Sequence, residues 1–185
     1  APGEVLVAPG QGGRSFVSAA FSGEAWGVAW TRGNNIVFRR VSPGGLLLGS
    51  QADVPLASQP ANLPVQLAWT GSGWALAWIR GTLLEYTLLD ATGNVSTGPV
   101  AVSSSSNGKS ALAAAWNGRR LGIAWVESFG SAAPRNDILF TTVALNGVPD
   151  FVPVTAATSD WNEGNPSLYW AGDRFGLVHT WGVNP

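Results

Sequence analysis

Trp69-Thr70-Gly71-Ser72-Gly73-Trp74-Ala75-Leu76-Ala77-Trp78 is a unit that the chain uses four times. The same spacing returns in Phe21 to Trp30, in Trp116 to Trp125 and in Trp170 to His179. In each copy an aromatic is followed two residues later by Gly, five later by a large apolar residue, and nine later by Trp or, once, His. The second half of the unit alternates with a period of two, which is the period of a β-strand. Trp26, Val28 and Trp30 stand against Gly27 and Ala29; Trp74, Leu76 and Trp78 against Ala75 and Ala77; Leu121, Ile123 and Trp125 against Gly122 and Ala124. One face is bulky, the other is small, and neither is polar. Such a strand must be covered on both sides, and the bulky face of one copy fits the small face of the next.

Outward from the unit, a third strand carries Phe38, Tyr86 or Phe140, and seven residues after each stands Gly45, Gly93 or Gly147, in turns that favour positive φ. A last strand follows in Val54-Pro55-Leu56, Val100-Ala101-Val102 and Val152-Pro153-Val154. Residues 4–9, with Val5-Leu6-Val7, share that pattern and read as a last strand displaced to the N-terminal side. Four short antiparallel strands per repeat, with lead aromatics 48, 47 and 54 residues apart, predict an all-β fold, a β-propeller of four-stranded blades. The expectation is one domain over residues 1–185, with blade repeats starting near 16, 64, 111 and 166 and about 3.5 to 4 blades in the chain. No third-strand pattern follows Trp181. Either the displaced N-terminal strand closes a small four-bladed ring, or the chain is part of a larger ring completed by a second copy or by sequence elsewhere.

Composition narrows the partners. Ten Lys plus Arg balance eleven Asp plus Glu, and only Lys109 is a lysine, so a polyanion-binding surface and nucleic acid are not expected. Charged residues make up 11% of the chain, against about a quarter in a typical domain. Together with ten Trp, that low share fits the uncharged polar surfaces common outside the cytoplasm, and the Ala1-Pro2 start suits a mature N-terminus; an extracellular or cell-surface location is expected. Cysteine is absent, which removes disulfides, thiolate zinc sites and a cysteine nucleophile together. No apolar run approaches the roughly 20 residues that would span a bilayer.

The chain resembles the broad group of bacterial propeller repeats built on an aromatic-x-Gly turn and an apolar-Gly/Ala-apolar-Ala-Trp strand, and the resemblance covers nearly all of residues 4 to 181. It lacks the Ser-x-Asp-x-Gly-x-Thr-Trp box of sialidases, the Gly-His and Trp-Asp pairs of WD40 repeats, the Kelch double glycine, and the hemopexin repeat with its closing disulfide. Resemblance to such propellers implies lectins, docking modules or scaffolds of extracellular enzymes, and does not choose among them.

Candidate chemistry gathers in two loops. The third repeat is longer than the others between Trp125 and Phe140, in the segment Glu127 to Asp137, and the connection Ala156 to Asn165 that follows holds Ser159-Asp160-Trp161-Asn162-Glu163. In a propeller these loops share a face and are expected to be neighbours, bringing Trp161 and Phe129 near Glu127, Arg135, Asp137, Asp160, Asn162 and Glu163. An aromatic plate beside polar groups suits a sugar or a peptide. The competing account has Trp161 covering its own loop with the carboxylates solvated. Arg32 and Arg80, at equivalent positions after the second-strand Trp, are either a ring of donors for a carboxylate or acidic glycan, or turn residues whose stems cover the Trp.

Hydrolysis of a glycosidic bond needs two carboxyl groups roughly 5 to 9.5 Å apart, which Glu127, Asp160 and Glu163 would have to supply from one blade. His179 takes the place of Trp30, Trp78 and Trp125 and reads as an imidazole filling a tryptophan slot rather than a metal ligand or base. No calcium loop, phosphate loop, dinucleotide fingerprint or serine elbow occurs, so no cofactor is expected. Asn94-Val95-Ser96 matches a glycosylation acceptor within a hairpin turn. The reading is a non-catalytic binding module with lectin-like recognition of a glycan or protein. The alternative is a structural subunit completing a larger propeller, as a homo-oligomer or with a partner chain; a glycoside hydrolase ranks behind both.

Overall fold

The computed structural model describes residues 4–8, 14–33, 35–54, 64–103, 105–130, 135–146 and 152–182. The described chain is all-β. Its strands are β1 (Arg14–Phe21), β2 (Trp26–Arg32), β3 (Asn35–Val41), β4 (Leu47–Val54), β5 (Val65–Trp69), β6 (Gly73–Arg80), β7 (Leu83–Asp90), β8 (Val95–Ser103), β9 (Lys109–Trp116), β10 (Arg120–Phe129), β11 (Arg135–Ala144), β12 (Val154–Ala157), β13 (Asn162–Trp170) and β14 (Phe175–Gly182). They form three four-stranded antiparallel sheets in sequential order, β1 to β4, β5 to β8 and β9 to β12, and a fourth sheet of β13 and β14.

The aromatic-x-Gly turn builds the same hairpin four times. Its glycines, Gly23, Gly71, Gly118 and Gly172, have φ between 92° and 98°, a region that a Cβ disfavours. The turn is closed by backbone bonds from Ser22 N to Ala25 O, Thr70 N to Gly73 O, Asn117 N to Arg120 O and Ala171 N to Arg174 O, at 2.9 to 3.1 Å. It sets the lead aromatic directly opposite the first bulky residue of the second strand: Phe21 faces Trp26, Trp69 faces Trp74, Trp116 faces Leu121 and Trp170 faces Phe175. Where both partners are aromatic the ring centroids lie 4.9, 4.7 and 5.0 Å apart, within the range of favourable tilted pairs. The third-strand turns likewise use Gly45 at φ 85° and Gly93 at φ 100°; Gly147 lies outside the described residues.

The sheets stack through their alternating faces. Ala29, Ile36 and Phe38 of the first sheet are buried with Trp74, Leu76 and Trp78 of the second. Ala75, Ala77 and Ile79 of the second are buried with Leu121, Ile123 and Trp125 of the third. Ala124 and Val126 of the third meet Leu168 and Leu177 of the fourth. Each joint is therefore bulky on small. The lead strands β1, β5, β9 and β13 touch in succession, and among the described residues no comparable contact joins the fourth sheet to the first. Tyr86 adds a polar tie across the second joint, its hydroxyl donating to Ala144 O at 3.1 Å.

Residues 4–8, the described part of the expected displaced strand, form no strand; they run beside the first sheet, where Arg39 Nη1 donates to Val7 O at 3.3 Å. The Asn94 amide of the glycosylation triplet is engaged within its own turn, donating to Asp90 Oδ2 at 3.2 Å and to Thr92 Oγ1 at 2.8 Å. The Thr92 hydroxyl, with help from the Asn94 and Thr92 backbone and the Asn94 amide, outweighs burial and holds the Asp90 carboxyl down to about 2.

Small residues in the joints are required by geometry. A Cβ on Gly27 would stand 2.6 Å from the Trp74 ring, and one on Gly122 would stand 2.5 Å from Phe175. We expect Gly27→Ala to cost about 1–3 kcal/mol in urea unfolding, the usual penalty of overpacking, and Trp74→Leu in the same chain to remove most of that penalty. Additive effects of the two changes in a double-mutant cycle would show that ring and glycine are not in contact.

Candidate functional site

The two decorated segments meet at one edge of the third and fourth sheets. Asn162 Oδ1 accepts a bond from the backbone N–H of Asn136 at 3.0 Å, and the Thr158 hydroxyl donates to Asp137 Oδ1 at 2.9 Å. Residues 131–134 of the longer loop lie outside the described residues. β13 starts here with an irregularity that recurs. Phe16, Ala111 and Asn165 all have positive φ, at 48°, 42° and 44°, and the pairing of β1, β9 and β13 shifts at each. Each stands five residues before the lead aromatic. In the second repeat that place is taken by Pro64, whose ring forbids positive φ, and β5 begins after it with an unbroken register. Such bulges bend a strand and re-aim its first side chains.

Two glutamates then meet opposite fates at matching register positions. In the third sheet Glu127 pairs across the strands with Lys109, and in the fourth Trp181 pairs with Glu163. Glu127 is 2% exposed. Its Oε2 accepts from the Trp125 indole at 2.9 Å, and its Oε1 accepts from Asn107 Nδ2 at 3.0 Å and from the Ser105 hydroxyl. Lys109 Nζ lies 3.6 Å from Glu127 Oε2 and donates to Thr82 O, to Ser105 Oγ and to Ser105 O. Burial would raise the Glu127 carboxyl, but the bonds from Ser105, Trp125 and Asn107 and the Lys109 charge together hold it below the ordinary glutamate range. This carboxylate is committed to tying the 105–109 segment onto β10.

Glu163 is nearly as buried, at 4% exposed, but it stands among the residues lining a surface hollow. The Ser159 hydroxyl donates to its Oε1 at 2.6 Å while accepting from the Trp161 N–H at 3.1 Å. Its Oε2 lies 3.0 Å from His179 Nδ1. That separation suits an ion pair with a protonated imidazole, yet the contact is not aligned as a hydrogen bond, and among the described residues no other donor reaches this oxygen. Ser159, Trp161, Glu163, His179 and Trp181 line a shallow hollow of about 290 Å³. Trp161 and Trp181 are both exposed, with ring centroids 6.4 Å apart and planes inclined at 44°. The hollow thus offers two indole faces, a buried carboxylate and a half-exposed imidazole.

The other candidates are distributed around this hollow. Asp160 is exposed on the bend before Trp161, and Phe129 is half-buried at the end of β10, opposite Arg135 in the register. Arg135 pairs with the buried Asp137 at 3.1 Å. Asn162 serves as the link to β11 just described. Arg80 is held bidentately by Glu85, both bonds at 2.9 Å, a geometry that occupies the guanidinium fork; that hydrogen bond, opposed by burial and aided by the Glu85 charge, raises its pKa further. Arg32 is half-buried.

Trp181 and the pairing of His179 with Glu163 escaped the sequence reading. The available signals were the break in the tryptophan series at His179 and the strand period, which sets residue 181 on the same side as 179. Among the described residues no group of three or more His, Cys, Asp or Glu side chains is placed to hold a metal ion. Among the described residues no helix is long and apolar enough to cross a membrane. The chain matches no protein-family model, and a search of curated proteins finds no match.

Removing one member of a buried ion pair leaves an uncompensated charge, so Glu127→Gln should destabilise the chain by about 3–5 kcal/mol at neutral pH. The folded carboxyl titrates below its unfolded value, so its contribution is present above the ordinary glutamate value of about 4.3 and is lost as the pH falls through the lower folded one. The stability gap between wild type and Glu127→Gln, measured in urea, should therefore narrow on acidification; a gap independent of pH would contradict this role.

Proposed function

We propose that the chain is a non-catalytic binding module, a β-propeller-type array spanning residues 1–185, that recognises a glycan in the manner of a lectin through the hollow at Trp161. Its four-strand repeats starting near 16, 64, 111 and 166, the bulky-on-small stacking, and the resemblance to bacterial propeller repeats support that architecture. One observation carries the binding reading: two exposed tryptophans flank a buried carboxylate and an imidazole in a hollow of about 290 Å³. Exposed indoles stack on the apolar face of a sugar ring, while a carboxylate accepts bonds from hydroxyls and fixes orientation. The low share of charged side chains supports an extracellular or cell-surface setting and argues against nucleic acid as the partner. A protein ligand presenting a polar side chain suits the same groups.

Catalysis is the weaker reading because Glu127, the natural second carboxylate, is saturated by Ser105, Asn107, Trp125 and Lys109. A general acid or base has to reach a substrate proton, and this one is enclosed. The structural reading, a subunit completing a larger ring, draws its support from the open end faces of the array.

A glycan array probed with the wild type and with Trp161→Ala and Trp181→Ala tests the proposal. Binding to a defined sugar class is expected, with each substitution weakening it at least about tenfold, or ~1.4 kcal/mol, and melting temperatures within a few degrees of wild type. Binding that survives both substitutions, or hydrolysis that disappears in Glu163→Gln, would replace this reading.

A further inference from the structure

We propose that a second copy of this chain docks head to tail on the first, placing the small face of one copy's fourth sheet against the bulky face of the other's first sheet. The proposal is independent of the ligand hollow and rests on a joint that the chain already makes three times. In the first two internal joints the bulky second-strand residues are buried, and in the third Phe175, Leu177 and His179 are partly so. Trp74 is 1% exposed, whereas its counterpart in the first sheet, Trp26, is 45% exposed. Phe21 and Val17, on the same face by register, are exposed with it. At the other end, Gly176, Val178 and Thr180 hold the positions of Gly27, Ala29 and Thr31. Ala29, Ala77 and Ala124 are buried in their joints, while their counterpart Val178 is 61% exposed. Both end faces present exposed apolar side chains in the same chain, Trp26, Phe21 and Val17 on the one, where Trp30 is already buried, and Val178 and Tyr169 on the other, so they do not cover one another.

The N-terminal segment strengthens the match. In the second joint the last-strand residues Val100 and Val102 of the second sheet pack against the third. Val5 and Val7 take a similar place on the first sheet, Val5 against Gly45 and the Val7 carbonyl on Arg39. Between this segment and the sheet runs an apolar groove of about 440 Å³, lined by Val5, Val7, Phe16, Val17, Val28 and Trp30. Residues 4–8 thus hold the outer position of a sheet that would precede the first. The groove lies inside it, where the strands of the preceding sheet sit in the other joints. Among the described residues the fourth sheet consists of two strands and supplies such an inner pair. One residue departs from the pattern. The position before the lead aromatic is Ala20, Ala68 and Ala115 in the first three sheets but Tyr169 in the fourth, and its half-exposed ring lies across Gly176. The incoming Trp26 therefore meets an aromatic ring in place of a bare glycine, a contact that ring pairs favour. Because the two faces differ, the association is heterologous, and two such joints related by a two-fold axis close a ring of two copies.

Sedimentation equilibrium or light scattering on the 185-residue chain tests this over a concentration series. Reversible association to twice the 19.2 kDa chain mass is expected. Val178→Glu and Trp26→Glu, each checked for folding by circular dichroism, should each weaken self-association at least tenfold, and an equimolar mixture of the two should recover a dimer through its one intact joint. Tyr169→Ala, which restores the alanine of the other sheets, should associate at least as tightly as wild type. A wild type that stays at the monomer mass at the highest concentration overturns the proposal and leaves these faces to further chain or to another protein. Association of Val178→Glu or Trp26→Glu alone at wild-type strength, or no recovery on mixing, overturns the head-to-tail geometry.

Discussion

The structure depends on one contact repeated along the chain: a large apolar side chain pressed into a place where the neighbouring sheet has only glycine or alanine. Trp74 fills the space over Gly27, and Phe175 fills the space over Gly122. The strands involved are apolar on both sides, so neither face tolerates water and every sheet needs a neighbour on each side. Stacking follows from that requirement. The turn glycines and the aromatic pair beside each turn are the local means of presenting the large side chain at the right height.

Polar groups drawn into such a stack have to be satisfied by one another. At the third sheet Glu127, Lys109, Ser105, Asn107 and Trp125 close on themselves, and the matching positions of the fourth sheet hold Trp181, Glu163 and His179. The carboxylate has moved from the second strand to the lead strand, and the tryptophan from inside the joint to its rim. A filled polar cluster becomes an open one, with two indoles at its mouth. The hollow is thus a variation on a structural position of the repeat, and its side chains are positioned by the strand register and by the bulge at Asn165.

Much of this architecture is legible in the amino-acid sequence. The four-fold recurrence of aromatic-x-Gly, the period-two alternation and the later glycines specify strands, turns and the matching of faces, since each is a local or nearest-neighbour property. The two decorated loops were legible as neighbours from the topology of the repeat, and Asn162 of β13 meets the backbone of Asn136 in β11. Less accessible was the environment of individual polar side chains. Glu127 and Glu163 look equivalent as loop carboxylates, yet one is enclosed by four partners and the other lines a hollow. That difference depends on Lys109 and Ser105, about twenty residues away in the chain, which reach Glu127 only once β9 has paired with β10.

His179 shows the same division. Its position in the repeat marked it as a substitute for tryptophan, and it does occupy that side of β14. The absence of a neighbouring ligand in the sequence argued for a purely structural role, but pairing of β13 with β14 brings Glu163 within 3.0 Å of its ring. The sequence by itself determined the all-β class, the repeat and its turns, and which face of each strand is large, because backbone sterics and hydrophobic periodicity act over a few residues. Tertiary structure alone decided which carboxylate is buried against a cation, which stands beside two exposed indoles, and which faces at the ends of the stack remain uncovered, because desolvation and pairing depend on groups that only folding brings together.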